Sequence, residues 1–301
     1  MIVALDLPAT RGRLLPGAPL APQSWFRVGG AAELLFRPAD PEDLAHLLES
    51  WPSELPLTVL GAASNVIIRD GGVPGLVVRL ARGFAEVVVE ADGVIAGAAV
   101  LDVTLAEYAA AAGLAGLEFM SGIPGTVGGA VAMNAGAYGG DVSHVLDWVE
   151  IVTGDGDLVR LPAKALHLAY RHTHLPARSV VVGARFRAQP GDAGAIAERM
   201  AQIRISREAT QPIRSRTGGS TFQNPPDMKA WELIDAAGCR GMTLGGAQVS
   251  EKHCNFLLNL GEATAADLES LGEEVRRRVR ETSGVTLEWE IKRIGKPQVT
   301  P

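Results

Sequence analysis

The chain has 301 residues, 47% of them apolar, with 28 basic and 34 acidic side chains and a net charge of −6. That length and apolar share suit two or three cored domains and exclude a disordered chain, and the interspersed, mildly acidic charge excludes a generic attraction to nucleic acid or anionic membrane. No apolar run approaches the ~18 residues of a membrane helix, Met1–Pro22 lacks the basic start and apolar core of a secretory signal, and Cys239 and Cys254 form no metal-like pattern with histidine. The expectation is a cytoplasmic monomer with two free thiols and no metal.

In chain order, residues before Pro22 read as a loose lead-in, and Ala31–Arg37 as a strand. Pro41-Glu-Asp opens a helix with Leu44, Leu47 and Leu48 on one face, and Leu57–Leu60 and Val66–Arg69 are short strands around Gly61-Ala-Ala-Ser-Asn65. Strand, helix and strand at this spacing make a βαβ-like unit. Asp92-Gly93 marks a hairpin between Val87–Glu90 and Val94–Ala96, and Thr104 with Glu107 three residues on predicts a capping box and helix start. A second hairpin joins Trp148–Val152 to Leu158–Leu161; Ser179–Phe186 reads as a strand and Asp192–Glu208 as a helix. Lys229–Ala237 forms a helix stopped by Gly238, and Val249–Leu260 supplies at least one strand. Thr264 and Asp267 cap a last helix carrying Leu268, Leu271, Val275 and Val279 on one face. In the tail Val285, Leu287, Trp289 and Ile291 alternate with Glu288, Glu290 and Lys292, the pattern of a half-buried strand. The class is α+β.

Ser215-Arg-Thr-Gly-Gly-Ser-Thr-Phe-Gln-Asn-Pro-Pro226 suits no regular element, because paired glycines and paired prolines break helix and strand alike. It reads either as a surface turn or as a loop presenting Ser220 to a ligand. Gly122-Ile-Pro-Gly-Thr-Val-Gly-Gly129 fails as a dinucleotide fingerprint, with Pro124 inside it and no strand leading directly in. Its backbone N–H groups and Thr126 can still form an anion nest, as can the Gly61–Asn65 turn, and two nests suggest a large ligand with a pyrophosphate. Arg171 reads either as a solvated charge or a site residue; Glu290 by its pattern alone is an exposed acid.

Trp25-Phe-Arg-Val-Gly-Gly30, Gly61-x-x-Ser-Asn65, Gly122-Ile-Pro-Gly-Thr-Val-Gly-Gly129 with Asn134-Ala-Gly-Ala-Tyr138, Tyr170-Arg171, Gly219-Ser220-x-Phe-x-Asn-Pro225, Gly246-Ala-Gln-Val-Ser-Glu-Lys-His253 and Leu287-x-x-Glu290 occur in this order. Together they resemble the UDP-N-acetylenolpyruvoylglucosamine reductase family, in its shorter (type II) form, from about Ser24 to Gly295. The resemblance implies a two-lobe FAD-binding fold of the vanillyl-alcohol-oxidase (PCMH) type with a third, substrate-binding domain. The expected division is 1–80 with 286–301, 81–213, and 214–285.

The same resemblance implies NADPH as co-substrate, FAD as hydride carrier, and the enolpyruvyl ether of UDP-N-acetylglucosamine as substrate. It makes Ser220 the donor of the proton to the carbon α to the carboxylate, with Arg171 and Glu290 at that carboxylate; Glu290 is then expected to be protonated, its pKa raised by burial. Flavin contacts are implied at Gly61, Ala62, Ala63, Ser64, Asn65 and Val66, at Gly122, Ile123, Pro124, Gly125, Thr126, Gly128 and Gly129, and at Asn134, Ala135 and Gly136. Tyr170, Arg214, Asn224 and Lys252 are expected at the substrate. The chain departs from the family in Ala62-Ala63, where a further glycine is usual, and in the bulk of Trp231. The rivals are another oxidoreductase on the same flavin fold and a non-catalytic nucleotide binder that kept it.

Overall fold

Local signals set most of the elements. The computed structural model describes residues 7–298; the outermost residues of the expected first lobe, 1–6 and 299–301, lie outside the described residues. Asp40 caps the Pro41–Ser50 helix by accepting the Asp43 N–H at 2.9 Å, and Leu44, Leu47 and Leu48 are fully buried. The hairpin around Asp92-Gly93 forms with Val89 opposite Val94. Thr264 and Asp267 make the reciprocal capping box at 3.0 and 2.9 Å, and Gly284 at φ 76° ends the Ala265–Ser283 helix.

The described chain divides into two compact units. One comprises the chain up to Pro16, Leu34–Ala62 and Gly75–Ser206; the other comprises Gly17–Glu33, Ala63–Pro74 and the chain from Arg207.

The first unit holds a five-stranded antiparallel sheet in the order Leu158–Pro162, Leu146–Val152, Val180–Arg187, Gly93–Gly97, Val87–Glu90. One of its cores gathers Val94, Leu105, Met120, Val127, Val149 and Phe186. A four-stranded sheet runs Arg13–Pro16, Ala32–Arg37, Val73–Arg79, Leu57–Leu60. A second core lies there, where Phe36 and Leu76 meet Leu44, Leu48 and Trp51. The Val73–Arg79 strand is inserted between the two strands of the expected βαβ unit and pairs in parallel with Leu57–Leu60.

In the second unit, a short antiparallel sheet, Arg216–Thr217, Leu257–Asn259, Ala247–Val249, Thr243–Leu244, packs on the Ala265–Ser283 helix. Leu268, Leu271, Val275 and Val279 form the buried stripe of that helix.

Three expectations need correction. The lead-in is not loose, since Arg13–Pro16 is a strand paired with Leu34–Arg37. The helix expected at Thr104 begins at Asp102 without a side-chain cap, because the Asp102 N–H is drawn to the Gly125 carbonyl at 3.2 Å. Val249–Leu260 supplies its expected strand, Leu257–Asn259, joined by a loop to a second, Ala247–Val249. The tail alternates in burial, with Leu287 and Ile291 buried and Glu288 exposed, but only Lys292–Ile294 forms a ladder, parallel to Val66–Ile68. Upstream of it the backbone of Glu288 and Glu290 bonds to Gln223 and Thr221 instead, so Glu290 is half-buried and not a solvated acid.

Trp289 is held by Phe222 at a ring separation of 5.0 Å and by Glu273, which accepts its indole N–H at 2.8 Å. A Cβ on Gly272 would lie 2.2 Å from its Cη2. Gly272→Ala is therefore expected to destabilise the fold by roughly 1–3 kcal/mol, the usual cost of overpacking, despite the better helix propensity of alanine. Urea denaturation of the variant checks this.

Candidate active site

In the second unit the serine loop is fixed on both sides. Arg216–Thr217 pairs with Leu258–Asn259, and Thr217 donates its hydroxyl to the Leu257 carbonyl at 2.5 Å. A Cβ on Gly218 would sit 2.7 Å from the Phe26 ring, so this glycine is required by packing and not only by access to Ser220. A Cβ on Gly219 would lie 3.5 Å from the Asn65 Oδ1. Half-buried Ser220 follows, and then the Thr221 carbonyl accepts the Glu290 N–H at 2.9 Å. Asn65 closes the cluster: its Nδ2 donates to the Glu290 carbonyl at 3.1 Å, and its own carbonyl accepts the Lys292 N–H at 3.0 Å. The structure thus brings Asn65, Ser220 and Glu290 together, from residues far apart in the chain.

Ser215, at the start of the serine loop, lines a cavity of about 530 Å³ with Arg214, Gln248, Ser250 and Lys252 together with Glu208 and Glu251. Lys252 donates to the Glu208 carbonyl at 2.5 Å. Two cations, an amide and hydroxyls in one concavity are the donor set that a phosphorylated ligand needs. Gln248 and Ser250 were missed from sequence although they lie in the quoted Gly246–His253 motif; only the charged member of that motif stood out. Asn224 does not line this cavity, and its Oδ1 accepts the Ala230 N–H at 3.0 Å, so it caps the Ala230–Ala236 helix. Trp231 on that helix is 41% exposed, so its bulk is accommodated without strain. Cys239 and Cys254 are buried, burial pushes both thiols up, and the Cys254 thiol donates to the Trp231 carbonyl at 2.9 Å; both are packing residues.

In the first unit the two glycine turns meet. A Cβ on Gly61 would come 2.6 Å from the Thr126 hydroxyl oxygen, so the close approach depends on glycine. The nest is smaller than the sequence suggests, because the N–H groups of Ile123, Gly125, Val127 and Gly128 are bonded to the carbonyls of Met120, Ile123, Val100 and Ala98. Those bonds, with the Leu101–Thr126 bridge, tie the loop rigidly to the start of the Asp102–Ala111 helix. Asp102 is fully buried, neither carboxyl oxygen has a partner among the described residues, and desolvation raises its pKa well above the ordinary range. The shift favours the uncharged acid, which repels an anion at the loop less than a carboxylate would.

Asn134 is committed structurally: its Nδ2 donates to the Ala169 carbonyl at 2.8 Å and its Oδ1 accepts the Ser143 N–H at 2.9 Å. The Ala135 N–H bonds to Ala130. Ala169 and His172 exchange two backbone bonds of 2.9 Å, which puts Tyr170 and Arg171 at the tip of a tight turn. Arg171, at φ 55°, donates to the Gly136 carbonyl at 3.0 Å and lies over the Tyr170 ring at 4.9 Å. Pro124 sits in the loop, Ser64 is half-buried after the turn, and Val66 is drawn into the ladder opposite Lys292. Ala63, one of the two alanines at which the chain departs from the family, adopts φ 49°, the left-handed region that favours glycine.

Small residues, a buried hydroxyl and neutral backbone donors around Gly61 and Thr126 fit the pyrophosphate of a flavin dinucleotide. A family model described as an FAD binding domain matches residues 32–162. The chain is also similar in fold to a 6-hydroxy-D-nicotine oxidase from Arthrobacter nicotinovorans, with a TM-score of 0.59 at 13% identity over 96% of this chain and 90% of that one. Fold and site define an FAD-containing oxidoreductase of the PCMH-type fold. A second model, the C-terminal domain of UDP-N-acetylenolpyruvoylglucosamine reductase, matches residues 211–294. The chain is 65% identical over 291 residues to the protein of that name from Acidiphilium cryptum, covering 97% of this chain and 94% of that one. It matches the solved enzyme of Thermus caldophilus with a TM-score of 0.81 at 35% identity, covering 95% and 100%. The chain belongs to the UDP-N-acetylenolpyruvoylglucosamine reductase family.

Two stability measurements follow from the loops. Ala63→Gly should raise stability by about 1 kcal/mol, the cost of a Cβ in the left-handed region, read by thermal unfolding. Asp102 has a folded-state pKa above its ordinary 3.8, so its contribution is complete below that value and lost as pH rises. Asp102→Asn should therefore be more stable than the parent at pH 7, with the gap closing toward pH 4.

Proposed function

We propose that this chain reduces the enolpyruvyl ether of UDP-N-acetylglucosamine to UDP-N-acetylmuramate for peptidoglycan synthesis, in the cytoplasm and as a monomer. When bound, FAD supplies the hydride, taken from NADPH, that adds to the vinyl methylene carbon. Charge then develops as an enolate at the carbon α to the carboxylate, and Ser220 gives that carbon its proton, recovering one from solvent afterwards. Glu290 and Arg171 hold the substrate carboxylate where this charge accumulates. The observation that carries the reading is the bond from the Glu290 N–H to the Thr221 carbonyl, which ties the proposed polarising group to the residue next to the proposed donor.

Gly61, Ala62, Ala63, Ser64, Asn65 and Val66 with the Gly122–Gly129 loop would hold the flavin, Thr126 and the remaining backbone donors facing its pyrophosphate. Arg214 and Lys252 would take the UDP phosphates, supported by their shared cavity. Tyr170 would face the sugar, and Asn224 keeps its amide N–H₂ for the ligand while its oxygen caps the helix. Flavin binding is assigned to 1–80 with 286–301 and to 81–213, and substrate binding to 214–285; the two family matches, 32–162 and 211–294, support the main division. No described helix is long and apolar enough to cross a membrane.

The two half-reactions separate the roles. Ser220→Ala should be reduced by NADPH within twofold of the wild-type rate and be reoxidised by the enolpyruvyl substrate roughly 10²–10⁴-fold more slowly, the range of general-acid catalysis. Anaerobic stopped-flow absorbance at the flavin band measures both. Equal reoxidation rates in the two proteins would remove Ser220 from the chemistry.

A further inference from the structure

Five backbone polar groups lie close together after Ser220, and two elements satisfy all of them. Three go to Asn255. The Thr221 N–H donates to the Asn255 carbonyl at 2.7 Å, the Phe222 N–H donates to its Oδ1 at 3.0 Å, and its Nδ2 donates to the Phe222 carbonyl at 2.9 Å. The remaining two groups go to the tail: the Thr221 carbonyl accepts the Glu290 N–H at 2.9 Å, and the Gln223 N–H donates to the Glu288 carbonyl at 2.8 Å.

Asn255 is 4% exposed and lies in the loop between Ala247–Val249 and Leu257–Asn259, where no strand is available to pair with the serine segment. Its carboxamide presents one acceptor and one donor side by side, which is the pattern of a peptide group. It thus completes a ladder that the backbone alone cannot. The backbone of Asn255 is itself fixed, since its N–H donates to the His253 Nδ1 at 3.3 Å and that ring packs edge-on to Phe256.

We infer that Asn255 is a positioning residue for the proton transfer, holding Thr221–Phe222 flat between itself and the tail so that the Ser220 hydroxyl and Glu290 keep a fixed separation. The inference rests on the assignment of Ser220 as proton donor. The hydroxyl is two rotatable bonds beyond this clamp, and a displacement of about an ångström is enough to slow a transfer step ~10²-fold. Of the residues expected at the flavin, Asn65 bonds to the clamp, through the Glu290 carbonyl.

The test is a double-mutant cycle on the holoenzyme, read in both half-reactions. Asn255→Ala should slow reoxidation by the enolpyruvyl substrate at least tenfold and leave flavin reduction by NADPH within twofold. Combined with Ser220→Ala it should add less than twofold to the defect of Ser220→Ala alone, because the clamp acts through the serine. Asn255→Asp, which keeps the shape and the acceptor opposite the Phe222 N–H but loses the donor, serves if the alanine variant does not fold, and should show the same split. Thermal unfolding of each variant separates loss of fold from loss of positioning. Equal slowing of both half-reactions, unchanged reoxidation, or multiplicative defects in the double mutant would overturn the inference. If Ser220→Ala alone reoxidises normally, it is the serine assignment that fails.

Discussion

The carbonyl of Thr221 is the group on which the catalytic half of this protein depends. By accepting the Glu290 N–H it joins the serine loop to a tail segment some way from it in sequence, and through Asn65 the same junction reaches the residues that lead into the Val66–Ile68 strand. None of these groups is exotic. What they do is set, through backbone bonds each contributing about a kilocalorie per mole net and costing more if broken while buried, the distance between the two side chains proposed to act on the substrate. Side chains on such a frame lose little orientation entropy when substrate binds.

The flavin side follows a different rule. There the sequence removes side chains, and the glycines are demanded by neighbours: Gly61 by Thr126, Gly122 by the Tyr138 ring, Gly140 by Phe119. Much of the nest's donor capacity is consumed in fastening the loop to Val100, Ala98 and Met120. Rigidity is thereby gained at the expense of free N–H groups. The buried Asp102 beside the loop fits the same logic, since burial raises its pKa and favours the uncharged form, which opposes the proposed pyrophosphate less than an ionised acid would.

Much of the architecture was legible because its causes are local. Asp40, the Asp92-Gly93 turn and the Thr264–Asp267 box act within four residues of themselves, and the elements they start are where they were expected. The misreadings came where a distant partner decided. The helix start moved to Asp102 because Gly125 claims its N–H, and the tail is only partly a strand because Thr221 and Gln223 claim its backbone. Of the site, the motif residues were visible as a resemblance, but their assembly was not. Nothing in spacing reveals that Asn65 bonds the Glu290 carbonyl, that Asn224 is occupied as a cap, or that Asn255, an ordinary amide after Cys254, holds the serine segment. Ala63 shows the limit from the other side: a tolerated residue by composition, and a strained one once its φ is known.

The most direct test of this chemistry is the fate of solvent hydrogen in one turnover. With NADPH and UDP-N-acetylglucosamine-enolpyruvate in D₂O, proton and deuterium NMR of the product should show one deuterium at the carbon α to the carboxylate, in a single configuration, as delivery from an exchangeable hydroxyl on one face requires. Protium at that carbon, or a mixture of configurations, would contradict protonation by a fixed group of the protein, and with it the role of Ser220 and its frame.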